Sequence, residues 1–149
     1  MSRSRKLNPV IDMARKATEN ELIRLGEHNA LLQQDQSQLD DLISYRQEYL
    51  NRFRQDDPTL MSAKKALELR AFLAQLDQAI QAQQVQVNQS QLKVQQQQKN
   101  WLEAKNKEQA IDTLRDRYKA DETQQQQRYE QRENDEHTNA MWLRRHKDP

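Results

Sequence analysis

A chain of 149 residues that is 34% hydrophobic and 32% charged, with one glycine and three prolines, has few places to turn and little material for a thick globular core. It holds no cysteine, which excludes a disulfide framework and thiolate metal sites. The net charge of +1 gives no bulk signal for nucleic acid.

The basic opening, Met1-Ser2-Arg3-Ser4-Arg5-Lys6, lacks the apolar stretch of a signal peptide, and no apolar run approaches the ~20 residues of a membrane span. A soluble cytoplasmic protein is the expectation. Asn8-Pro9 reads as an N-cap followed by proline at the first helical position, where its missing N–H costs nothing. A first helix is therefore expected over about 9–54. Asp56-Asp57-Pro58-Thr59 is the strong interior break, because Asp and Thr favour caps and turns and proline disfavours helix before it. This predicts a turn at 55–59, with Asp57 as cap and Pro58 as first residue of a second helix over about 60–145. That helix would have roughly 80 residues and be about 120 Å long.

Polar residues in both segments are mainly Gln, Glu, Lys and Arg, which are strong helix formers. The alternative is a disordered Gln-rich chain that folds on a partner. Apolar periodicity favours the helices. The first has a seam at Leu22, Leu25, Asn29, Leu32, Gln36, Leu39, Ile43, Arg46, Leu50 and Phe53, spaced by alternate threes and fours. In the second, Leu73, Ile80, Val87, Val94 and Trp101 fall seven apart, with Leu69 and Leu76 between. Such spacing predicts a left-handed supercoil. Val94 and Trp101 hold the phase across the run Gln95–Gln98, so that run reads as solvated helix; Gln124–Gln127 has weaker anchors. The expected fold is all-α, a single-domain two-helix antiparallel coiled-coil hairpin with a longer second helix.

Folding back at Asp57-Pro58 lets helix 1 cover helix 2 to about residue 105. Residues 106–145 would project, with Ile111, Leu114 and Tyr118 as a stripe either frayed or waiting for a partner. Enzyme signals are absent. His28, His137 and His146 have no metal-site spacing, no Gly-rich loop is present, and Asp135-Glu136 diverge on a helix. No catalytic residue, metal or cofactor is expected. Basic residues gather at both termini, Arg3, Arg5, Lys6, Arg15 and Lys16 and then Arg144, Arg145 and Lys147. They suit an acidic surface, anionic lipid, or simple solubility.

A second stripe flanks the seam. It reads Gln38, Leu42, Tyr45, Tyr49 on helix 1 and Phe72, Leu76, Ala79, Gln83 on helix 2, each at i, i+4, i+7, i+11. Antiparallel pairing brings position 45 near position 72, so the stripes merge into one patch. Two helices need only one seam, so these aromatics are either a contact site or a widened core.

An ordered set of residues carries a resemblance. It comprises Gln38-Leu39, Leu42-Ile43, Tyr45 and Glu48-Tyr49, then Phe72, Leu76 and Ala79-Ile80, then Trp101 with Lys105, Leu114-Arg115-Asp116-Arg117 and Asp135-Glu136. With it, the chain resembles the flagellar FliJ family of the type III export apparatus over nearly its whole length. The resemblance implies a stalk-like coiled coil that inserts into the flagellar export ATPase ring and promotes its activity. It implies contact with the cytoplasmic domain of the export gate protein FlhA and with export chaperones, no nucleic-acid partner, and only peripheral membrane association through the gate. By the same resemblance Gln38, Leu42, Tyr45, Tyr49, Phe72, Leu76 and Ala79 match the gate-binding face, while Gln83 stands where the family can have His. The injectisome stalk counterpart and a generic coiled-coil scaffold are the other readings.

Overall fold

The structure, a computed structural model, describes residues 2–55 and 62–147. They form two helices, α1 over Arg3–Gln55 and α2 over Ala63–Lys147. The fold class is the all-α, antiparallel two-helix hairpin with the longer second helix. The chain divides into two compact units, one of Glu19–Leu102 and one of Met1–Thr18 with Glu103–Pro149.

In the Glu19–Leu102 unit the helices run antiparallel. Arg46 pairs with Asp77, Asp35 with Ser90, and Glu21 with Gln97. On α2 the seam is lined by the buried and half-buried Leu69, Leu73, Leu76, Ile80, Gln83, Val87, Ser90, Val94, Gln97 and Trp101. The seven apolar positions expected for this seam are all there, and Val87 is only 1% exposed. The run Gln95–Gln98 keeps phase, and Gln97 is itself buried in the seam.

The α1 seam differs from the expectation in one of its two rows. Leu25, Leu32, Leu39, Arg46 and Phe53 face α2 as predicted. The alternate row is one residue earlier along most of its length. Glu21, His28, Asp35 and Leu42 line the seam, and Leu22 and Ile43 are exposed. Next to the chain reversal Tyr49 and Leu50 are both half-buried.

The physical reason is that α2 offers polar partners to this row. Gln83 Nε2 donates to the Asp35 carbonyl at 2.8 Å, and Gln97 Nε2 donates to the Glu21 carbonyl at 3.0 Å. The Ser90 hydroxyl donates to the Asp35 carboxylate, and Gln97 also donates to the Glu21 carboxylate. A buried polar group is tolerated when it is hydrogen-bonded, so these layers are stable although half of each is ionisable.

In the other unit α1 starts six residues before the expected Pro9. Ser2 is the actual cap: its Oγ accepts from the Arg5 N–H at 3.3 Å and its carbonyl from the Lys6 N–H at 3.2 Å. Pro9 is thus inside the helix. It denies the Arg5 carbonyl a helical partner, but Arg5 and Pro9 are both exposed, so water can take that bond.

Glu122 of α2 completes the end. One carboxylate oxygen accepts from the Ser4 N–H at 3.1 Å and the other from the Ser4 hydroxyl at 2.7 Å. The first turn of α1 contains no acid of its own, so α2 supplies the negative charge that a helix N-terminus favours.

This earlier start corrects the expected overhang. α1 pairs with α2 as far as Glu122, and Ile111 and Tyr118 are half-buried beneath it. The side chains of 123–146 are exposed without exception. Arg15 bridges to Glu108 at 3.8 Å and Asp112 at 3.6 Å across the pair.

At its other end α2 is capped by Ser62, whose Oγ accepts from the Lys65 N–H at 3.2 Å. The Asp57-Pro58 cap and most of the 55–59 turn lie outside the described residues.

The Glu122 clasp sets a pH dependence. The Ser4 hydroxyl bond, then the Ser4 N–H, the Arg3 N–H and the charge of Arg5 hold its carboxyl below the usual range, against a smaller opposing effect of desolvation. Because the folded-state value is lowered, the stability it contributes is complete above the unfolded carboxyl's value and is lost as pH falls through the folded one. Acidification is therefore expected to release amide-exchange protection at Ser4 as the Glu122 carboxylate takes up its proton. Glu122→Gln should show that loss already at neutral pH.

Candidate functional site: an aromatic patch beside the seam

The patch belongs to the Glu19–Leu102 unit. Heptad geometry places residues next to the seam on two flanks, and Gln38, Tyr45, Phe72 and Ala79 share one of them. The structure brings the aromatics together. The Tyr45 ring meets Phe72 edge-on at 6.1 Å and 78°, while Tyr49 lies 4.5 Å from Phe72 and 5.7 Å from Phe53. Such spacings are those at which aromatic pairs attract beyond their buried area.

The rings differ in what they offer a partner. Tyr45 is 49% exposed, whereas Tyr49 and Phe72 are half-buried, and it is Phe72 that the Tyr45 ring rests against. Leu76 is 8% exposed and packs in the seam, so it supports the patch from beneath. Leu42 is half-buried, and Gln38 and Ala79 are exposed on either side.

A shallow hollow is lined by Gln38, Asp41, Leu42, Tyr45 and Gln83. Asp41 had no place in the sequence stripe. Its spacing of three from Gln38 and four from Tyr45 was the available signal. Gln83 reaches this hollow while its amide is held by the Asp35 carbonyl. The hollow is therefore built on the same hydrogen bond that closes a polar seam layer.

Rigid aromatics over an apolar floor, with amides and one carboxylate at the edge, suit protein recognition, since they lose little rotamer entropy on binding. Among the described residues no group of three or more His, Cys, Asp or Glu is placed to hold a metal ion. Asp135 and Glu136 sit exposed on α2. Among the described residues no helix is long and apolar enough to cross a membrane.

Comparison with known proteins decides the family. The model of the flagellar FliJ protein family matches residues 3–147, nearly the whole chain. The chain belongs to the FliJ family. The flagellar FliJ protein of Salmonella typhi is 29% identical over 145 residues, covering 97% of this chain and 99% of that protein. The flagellar FliJ protein of Escherichia coli strain K12 is 30% identical over 134 residues, covering 90% of this chain and 91% of that protein. Membership makes this chain a FliJ-type component of flagellar protein export, and full-length coverage means that both helices belong to the shared architecture.

Proposed function

We propose that the chain acts as the central stalk of the flagellar export apparatus, without catalytic chemistry of its own. It inserts into the export ATPase ring, promotes hydrolysis there, and links the ring to the cytoplasmic domain of the gate protein FlhA and to export chaperones. The protein works in the cytoplasm, reaching the inner-membrane surface through the gate. The gate-binding face is the patch of Gln38, Leu42, Tyr45, Tyr49, Phe72, Leu76 and Ala79.

The observation that carries the reading is the half-exposed Tyr45 ring set edge-on against Phe72, in a chain matched over residues 3–147 by the FliJ family. A scaffold rod needs its seam but has no use for aromatics outside it. The hydrolysis rate of the purified export ATPase, with and without the chain, tests the stalk role. Stimulation is expected. An unchanged rate, together with no binding to the gate domain, would leave the scaffold reading.

A further inference from the structure

The unit formed by Met1–Thr18 and Glu103–Pro149 has two unlike flanks. On one, the charges are consumed in ion pairs: Arg15 with Glu108 and Asp112, and Arg115 with Asp112 and Asp116. On the other flank the heptad places Val10 and Met13 of α1 beside Leu114 of α2. Met13 is 73% exposed, and Val10 and Leu114 are well exposed too. Beneath them lie the half-buried Leu7 and Ile111.

Ala17 on α1 and Ala110 on α2 are exposed on this flank, and Ala14 and Ala104 lie beneath it, buried and half-buried in the seam. Small side chains set among larger apolar ones are a pattern against which the ridge of a third helix packs.

The rim of this flank has a sign. Arg3, Lys6, Lys107 and Arg117 occupy its edges, against Glu103 and Asp121. All six are exposed, and the Arg3 guanidinium lies 5.6 Å from the centre of the Tyr118 ring. The partner this fits carries an apolar stripe between carboxylates.

We infer that this flank is a second docking surface, occupied by an acidic amphipathic helix of a partner protein. The helix lays its apolar residues over Val10, Met13 and Leu114 and its carboxylates over Lys6, Lys107 and Arg117. The surface is separate in residues from the aromatic patch, so each can be tested without the other.

The probe is a synthetic amphipathic helix with leucine along one stripe and glutamate flanking it, titrated into the isotope-labelled full chain. A control peptide has lysine for each glutamate. Amide shifts are expected to be confined to 3–17 and 103–121, with the glutamate peptide binding more than about tenfold more tightly than the lysine peptide.

Lys107→Glu with Arg117→Glu should reverse that preference while leaving the apolar centre and the helicity intact. Val10→Glu with Leu114→Glu should remove binding of the glutamate peptide. Tyr45→Ala with Phe72→Ala should leave it unchanged. Equal binding of both peptides, no binding of either, or shifts outside these segments would overturn the inference. So would capture of these segments by vesicles of phosphatidylcholine and phosphatidylglycerol in preference to the acidic peptide, which would make the surface a lipid site.

Discussion

Alanine at both Tyr45 and Phe72 is expected to weaken binding to the cytoplasmic domain of the gate protein by roughly 30-fold or more, and to suppress motility, while the far-ultraviolet signature of helix persists. The magnitude follows from the geometry. Aromatic anchors at the centre of an interface cost about 2 kcal/mol or more when truncated, and a factor of ten corresponds to about 1.4 kcal/mol. The two rings touch, so their losses will not add in full. Phe72 also lies under Tyr49 as well as Tyr45, so some stability is lost with it. Tyr45→Phe separates the effects, because it keeps the half-exposed ring and removes only the hydroxyl. It should retain most of the binding. Val85→Ala, an exposed change on α2 away from the patch, should retain all of it. Gate binding by the double variant equal to that of the unaltered chain would remove the patch assignment.

The second large effect concerns the polar seam. Asp35→Ala leaves the Ser90 hydroxyl buried without its acceptor, and it is expected to lower unfolding free energy by about 1–3 kcal/mol. Replacing both partners reverses the sign. Asp35→Leu with Ser90→Ala converts the layer to hydrocarbon, and replacing both partners of a buried hydrogen bond by apolar groups of similar shape is nearly neutral or stabilising. The double variant should melt at or above the temperature of the unaltered chain, and Asp35→Ala should melt below it. Thermal unfolding followed by circular dichroism measures both. A double variant less stable than Asp35→Ala would show that the layer's polarity itself is needed for folding.

Those layers also explain what could be read in advance. The α2 seam was legible because Leu73, Ile80, Val87, Val94 and Trp101 announce it by spacing alone. On α1 Leu25, Leu32 and Leu39 did the same. The row of Glu21, His28 and Asp35 was not legible, since single-helix patterning assigns acids to solvent and Leu22 and Ile43 to the core. The deciding information is on the other helix, in Gln83, Ser90 and Gln97. A pattern count along one strand of sequence cannot contain it. The start of α1 failed for a similar reason. Asn8-Pro9 is a good local cap, but Ser2 with help from Glu122, more than a hundred residues away, satisfies the earlier amides. The aromatic patch was legible from the spacing of Tyr45, Tyr49 and Phe72. The edge formed by Asp41 was not, because a carboxylate on an exposed helix position looks like any other.

Two side-chain clasps across the pair have a carboxylate as acceptor, Ser90 on Asp35 and Gln97 on Glu21. Sliding one helix past the other by a single heptad would keep leucine and valine rows in phase, so hydrocarbon contacts alone would scarcely resist it. It would, however, carry Ser90 and Gln97 to positions facing His28, Leu42 or Ala14 in place of an acid. Only a displacement of fourteen residues, about 21 Å of helix, would restore even one clasp. The segment is therefore keyed against axial creep, a property that the proposed stalk role would call for.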